Sequence, residues 1–394
     1  MIKIKLRRNL IYLLIYFICA FLDYSVLGLV IPRVTGFNTL YICIYLYPIE
    51  NIIGGLVVFL YQKYSIRKKE KTQYFGIKFN NNKNKGASDG KFKIILLVFF
   101  AAYFNFYRFI FYAFVKNTYI NFTMDLKLTT IQIIISTIIC IYAFEFKFKK
   151  HHKISLIIIS IFLFLSISTD IIYIIYYKYK LIRVLMLQYF MSLFFYMGYS
   201  FNNCIEKYLV DYNYMNPFII LMLEGVFEFI MASISFIEMD PFTPFANIKC
   251  SLGLFIFLFI LYTLLQVIVN IYRIYCNVIY SPMARSLVDY LLNPIINIYS
   301  FFATEDFYHN VAYFIIIEII SIAISFFGCV FNEYIILYCF GLELETQDKI
   351  AERAKNQFQK ELNDMSTIIY NNENDDDIRK SKTIISYDGF GLEI

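Results

Sequence analysis

The sequence has no Trp, only three His, and few charged residues, 17% of the chain. A soluble domain carries about 25% charged residues, so an ordinary cytosolic enzyme is excluded. His151, His152 and His309 are too few for a buried His cluster of the di-iron or acyltransferase kind. The first two fall in the basic stretch 147–153 and are expected in solvent. No GxSxG elbow, P-loop or dinucleotide fingerprint is present. The eight Cys never take metal-ligand spacing, and Cys19, Cys140 and Cys329 fall inside apolar runs, which reads as small buried hydrophobes. The expectation is a protein that is not an enzyme and holds no cofactor or metal.

What the chain has is apolar length. Hydrophobic residues make up 59% of it, against about 45–50% in soluble domains. They gather in runs such as Ser155–Ser166 and Val311–Phe327. A membrane span needs about 20 mainly apolar residues. Ten such segments are predicted, near 9–32, 39–62, 93–115, 128–147, 154–177, 181–203, 216–238, 251–271, 284–303 and 311–334. The first has too long an apolar run for a cleavable signal peptide, and no small-residue cleavage site follows it. The expected fold is all-α: a polytopic integral membrane protein with ten transmembrane helices.

Lys and Arg set the orientation. With the N-terminus in the cytosol, the cytosolic segments hold 21 basic residues and the opposite loops 7. Both termini are then cytosolic, and the acceptor pattern Asn121-Phe122-Thr123 lies on the other side. Residues 63–92 read as a flexible basic cytosolic loop. In 343–365, Ile350, Ala351, Ala354, Phe358 and Leu362 recur at helical spacing, which predicts an amphipathic helix. The end beyond it, with Asp375, Asp376 and Asp377, is expected to be disordered.

The spans divide into two halves, 1–180 and 181–340, followed by a tail, 341–394. Spans one to five overlay six to ten, and an odd number per half makes the halves insert in opposite senses. The second span carries Pro48, Glu50, Gly54 and Gly55; the seventh carries Pro217, Glu224, Gly225 and Glu228. Two inverted five-helix repeats are expected, with a site near the membrane midplane between them.

Three stretches carry a family likeness: Ile205-Glu206-Lys207-Tyr208-Leu209, then Asn216-Pro217 with Leu223-Glu224-Gly225, and Ser281-Pro282-Met283-Ala284-Arg285. With the five-plus-five arrangement, they resemble the drug/metabolite transporter superfamily, which includes nucleotide-sugar and related solute transporters. The resemblance implies a transporter in an organellar membrane (Golgi, endoplasmic reticulum or vacuole) or in the plasma membrane.

Ionisable residues at bilayer depth need a partner or a wet cavity. The candidates are Asp23, Glu50, Arg108, Glu224, Glu228, Asp289 and Glu318. In span nine, Arg285, Asp289, Asn293 and Asn297 recur every four residues and form one stripe. Span eight has Gln266, Asn270 and Arg273; span six has Gln188, Ser192, Tyr196, Tyr199 and Asn203. Two readings stay open: the stripes line an aqueous cavity, or they are hydrogen-bonded glue between helices. Glu224 and Glu228, one turn apart, are candidates for proton coupling. Arg108, with Asn105 one turn before it, suits a phosphate or carboxylate. The expected function is transport of a small polar or anionic solute by alternating access. Glu50, Arg108, Glu224, Asp289 and Asn293 are expected to hold that solute. The partners are the solute and the bilayer, with no nucleic acid; a homodimer is compatible. The alternative is a polytopic receptor or another membrane protein that does not transport.

Overall fold

The computed structural model describes residues 2–4, 10–25, 34–35, 39–68, 90–117, 129–144, 148–177, 182–235, 249–303, 311–338, 342, 346 and 349–360. Strand β1 (Ile2–Ile4) precedes helices α1 (Leu10–Ser25), α2 (Thr39–Lys68), α3 (Lys91–Asn117), α4 (Thr129–Phe144) and α5 (Lys150–Tyr177). There follow α6 (Ile182–Asp211), α7 (Pro217–Ser235), α8 (Leu252–Ile279), α9 (Pro282–Ala303), α10 (Val311–Phe331) and strand β2 (Ile335–Leu337). The two short strands pair. The described residues are otherwise mainly helical, and each expected span overlaps one of these ten helices. Arg108 lies in α3, but its side chain is outside the described residues, as are the Asn121 pattern, most of loop 63–92 and the acidic end.

Local chemistry sets several helix starts. At α7, Asn216 Oδ1 accepts the Phe218 N–H at 2.9 Å. At α9, Ser281 Oγ accepts the Ala284 N–H at 2.9 Å. In both cases proline occupies the first helical position, where its missing N–H costs nothing. Ser251 caps α8 in the same way through the Leu254 N–H, at 3.4 Å. Helices α6 and α8 run past their expected ends near 203 and 271 to Asp211 and Ile279. The connection from α8 to α9 is therefore two residues, and Arg273 and Arg285, counted among the 21 cytosolic basic residues above, are buried helical residues. Removing them leaves a basic bias of 19 to 7, in the same direction.

Five helices (α2, α5, α7, α8 and α10) are long and apolar enough to cross a membrane, and α4 and part of α1 are shorter apolar helices. Their outward faces carry Ile157, Ile161 and Phe164 on α5 and Phe257 and Leu264 on α8, all exposed. The buried side holds Asn51, Asn105, Gln132, Asn202 and Asn277. Apolar side chains outside and amides inside suit a lipid solvent, in which a helix also satisfies its own backbone. The chain is a helical membrane protein.

Packing is organised by pairs. Helix α2 lies on α7, α5 on α10, and α4 on α9; α3 packs on α6, α1 on α8, α3 on α7, and α2 on α8. The closest approach is between α2 and α7. A Cβ on Gly55 would stand 2.5 Å from the Phe218 carbonyl oxygen, and one on Gly225 2.7 Å from that of Pro48. Only glycine admits backbones this close. Residues 337–394 are a separate unit. Within it, 349–360 is helical and exposed along its length; the other residues of the expected 343–365, apart from 346, lie outside the described residues.

Candidate functional site

Polar side chains from α1, α2, α3, α6, α7, α8 and α9 meet in the buried interior. Helix α7 supplies Glu224 and Glu228, one turn apart and both buried. Glu228 accepts hydrogen bonds from Asn51 Nδ2 (2.9 Å) and Asn105 Nδ2 (2.6 Å), which ties α2 and α3 to α7. Glu224 is differently placed. Its carboxylate oxygens accept no hydrogen bond among the described residues, and its nearest cation is Arg273 Nη2 at 3.7 Å.

Arg273 is held chiefly by Glu206 of α6, with Nη1 2.7 Å from Oε1. Asn277, one turn further along α8, donates to Glu206 Oε2 and to the Asn203 carbonyl, both at 2.8 Å. Glu206 is thereby neutralised and hydrogen-bonded, while Glu224 faces the same guanidinium from further off. One Arg between two carboxylates leaves one negative charge without its own cation. A buried charge in that position costs several kcal/mol unless it takes up a proton or a counter-ion.

The second cation is Arg285, in the first turn of α9 and fully buried. Its Nη2 donates to the Tyr16 hydroxyl of α1 at 2.6 Å. Its guanidinium carbon lies 4.1 Å from the centre of the Tyr199 ring and 5.5 Å from that of Tyr16. Aromatic faces stabilise the cation, yet Nε and Nη1 have no hydrogen-bond partner among the described residues. The Tyr16 hydroxyl is within electrostatic reach of Arg273 and Asp289 as well, so it joins the two arginine groups.

The expected site residues divide between these groups. Glu50 of α2 is buried, with no hydrogen bond to either oxygen among the described residues; its charged neighbour is Asp23 of α1. Asp23 in turn accepts from Gln266 of α8 at 2.5 Å. In α9, Arg285, Asn293 and Asn297 are buried and Asp289 is half-buried, while Ile295 and Ile298 are exposed. The stripe therefore faces inward. Asn297 lies beside Glu318 of α10. Among the described residues, neither Glu224 nor Glu228 is paired with Arg285.

Sequence reasoning missed Tyr16 and Asn51 and left Glu206 in the connection after span six; it set Arg273 and Tyr199 on the polar stripes of spans eight and six without pairing them with Glu206 and Arg285. Continuing the α8 stripe of Gln266, Asn270 and Arg273 by one more turn would have found Asn277. Nothing distinguishes Tyr16 among 36 Tyr. The two His expected in solvent are buried: His151 and His152 lie against the end of α10, close to Glu333. Their rings pack on each other and on Phe331, which removes them from water. Compared with models of known protein families and with curated proteins, the chain matches none.

Proposed function

We propose that this protein is a ten-span transporter, built from two inverted five-helix halves, that moves a small polar solute bearing an anionic group by alternating access. The observation that carries the reading is Arg285: a fully buried guanidinium with two N–H-bearing nitrogens unpartnered among the described residues. Leaving such donors unmet in a dry interior costs about 1–3 kcal/mol each. A carboxylate or phosphate that supplies acceptor oxygens to these N–H groups offsets that cost. Tyr16 and Tyr199 hold the guanidinium from its other sides. Glu224, without a hydrogen bond of its own, is the group best suited to carry a proton through the cycle; Glu50, Asp289 and Asn293 complete the polar lining.

The inverted-repeat reading is supported by the packing. Exchanging helices one to five for six to ten returns α2–α7, α5–α10 and α4–α9 to themselves. It turns α3–α6 into α8–α1 and α3–α7 into α8–α2, which also pack. Gly55 meets Phe218 and Met222, and Gly225 meets Pro48 and Ile52, so the two close approaches are related by one constant shift in numbering. Opposed halves of this kind rock about a central site. The likeness of the stretches around Asn216-Pro217 and Ser281-Pro282 to the drug/metabolite transporter superfamily agrees with it. Within that reading, five further spans join the five that are long and apolar enough by themselves.

The test is uptake by purified protein in liposomes, screened against anionic and neutral polar solutes. At least one anionic solute should be taken up. Arg285→Gln should cut that uptake at least tenfold, and Arg285→Lys, which keeps charge but loses the fork, should fall between. Undiminished uptake in folded Arg285→Gln protein would sink the assignment.

A further inference from the structure

At one end of the α5–α10 pair, away from the interior site, three metal-ligating side chains converge. His151 and His152 stand in the first turn of α5, and Glu333 follows the end of α10; one donor atom from each lies within 4.8 Å of the others. All three are buried, His151 to 3% exposure. His151 Nε2 is 3.3 Å from Glu333 Oε1. Neither ring nitrogen of His151 has a hydrogen-bond partner among the described residues. Lys149 approaches the same carboxylate oxygen, with Nζ at 3.2 Å. The Lys149 backbone N–H donates to His152 Nδ1 at 3.2 Å.

We propose that His151, His152 and Glu333 form a site for a zinc-class divalent metal ion that fastens the ends of α5 and α10 together. Two imidazoles and one carboxylate, with a further position open to water, are a familiar donor set for such ions. Tetrahedral coordination with bonds of about 2.0–2.1 Å sets neighbouring ligand atoms about 3.3 Å apart. The His151–Glu333 separation already has that value, and the third donor, within 4.8 Å of the others, needs a shift of no more than about 2 Å to complete the triangle. Beyond the 3.3 Å contact with Glu333, the buried His151 ring makes no hydrogen bond among the described residues, and packing alone leaves such polar atoms unsatisfied. If His152 binds through Nε2, its ring proton moves to Nδ1 and the long contact with the Lys149 N–H is given up.

The backbone also presents Glu333 deliberately. It sits at φ 59°, in the left-handed region. The turn is closed by bonds from the Glu333 N–H to the Val330 carbonyl (3.1 Å) and from the Tyr334 N–H to the Cys329 carbonyl (2.9 Å). Glycine or asparagine suits that conformation better than glutamate, so a glutamate there has a side-chain reason. Lys149, partly exposed, competes for the carboxylate as an internal cation and leaves when metal arrives.

The experiment uses full-length protein with no polyhistidine tag, stripped by chelator and titrated with Zn2+ in detergent micelles. Co2+ serves as the spectroscopic probe of few-coordinate geometry. One ion per chain should bind. His151→Ala and Glu333→Asn should each weaken binding at least tenfold, and asparagine suits the turn, so folding is kept. Lys149→Ala should tighten binding several-fold, because the competing ammonium is gone. If the cluster is only an ion pair, Lys149→Ala gains nothing and the parent protein binds no better than His151→Ala; either result overturns the site. The proposal stands or falls separately from transport.

Discussion

Two glutamates one turn apart on α7 have opposite surroundings, and their amide variants separate the roles. Glu228 receives two N–H donors, from Asn51 and Asn105. Glu228→Gln turns an NH2 toward one of them and should lower stability by about 1–3 kcal/mol, read as an earlier thermal transition in detergent. Glu224 has no hydrogen bond to lose, and Arg273 retains Glu206. Glu224→Gln should therefore melt close to the parent but fail to accumulate solute against a gradient when driven by a pH difference. Uphill uptake unchanged in that variant would remove Glu224 as the coupling group. These acids were legible in the sequence because a charge inside an apolar run is conspicuous. Tyr16 was not, since a tyrosine that brackets an arginine looks like any other until the helices are packed, and Tyr199 was visible on its stripe but not its place over Arg285.

At the scale of elements, the ten helices follow from apolar run length, and the structure moves mainly their ends. The ends of α6 and α8 were misread because Glu206, Lys207, Arg273 and Asn277 look like loop residues. They stay helical because they satisfy one another: Arg273 and Asn277 hold Glu206, and Lys207 donates to the Val278 carbonyl at 2.6 Å. Partners distant in sequence carry no local signal. The Gly54-Gly55 pair was visible, but not which glycine matters. A Cβ on Gly55 would collide with backbone of α7, and one on Gly225 with backbone of α2, whereas on Gly54 it would touch Ile271 at an ordinary 3.4 Å. Gly55→Ala and Gly225→Ala should each destabilise the protein by about 1–3 kcal/mol, while Gly54→Ala changes little. Equal melting of the three variants would contradict the α2–α7 crossing.

For the whole molecule, the proposed ten spans and the basic bias together predict that both ends of the chain lie on one side. Epitope tags at Asn80 and at the C-terminus should be reached from the cytosol, and a tag at Pro244 from the opposite side only. Opposite accessibility of the two termini would exclude ten spans. The central claim is that the interior polar layer is a pathway opened to each side in turn, rather than dry glue between helices. Its most direct test is thiol accessibility along α9, in a Cys-free background within sealed vesicles. Cysteine at 289 or 293 should react with a membrane-impermeant charged reagent added from either side, because both positions line the inward stripe. Cysteine at 298, on the exposed apolar face, should react from neither, since a thiolate barely forms in lipid. Reaction at 289 and 293 no faster than at 298 would contradict a wet pathway, and reaction from one side alone would contradict alternating access.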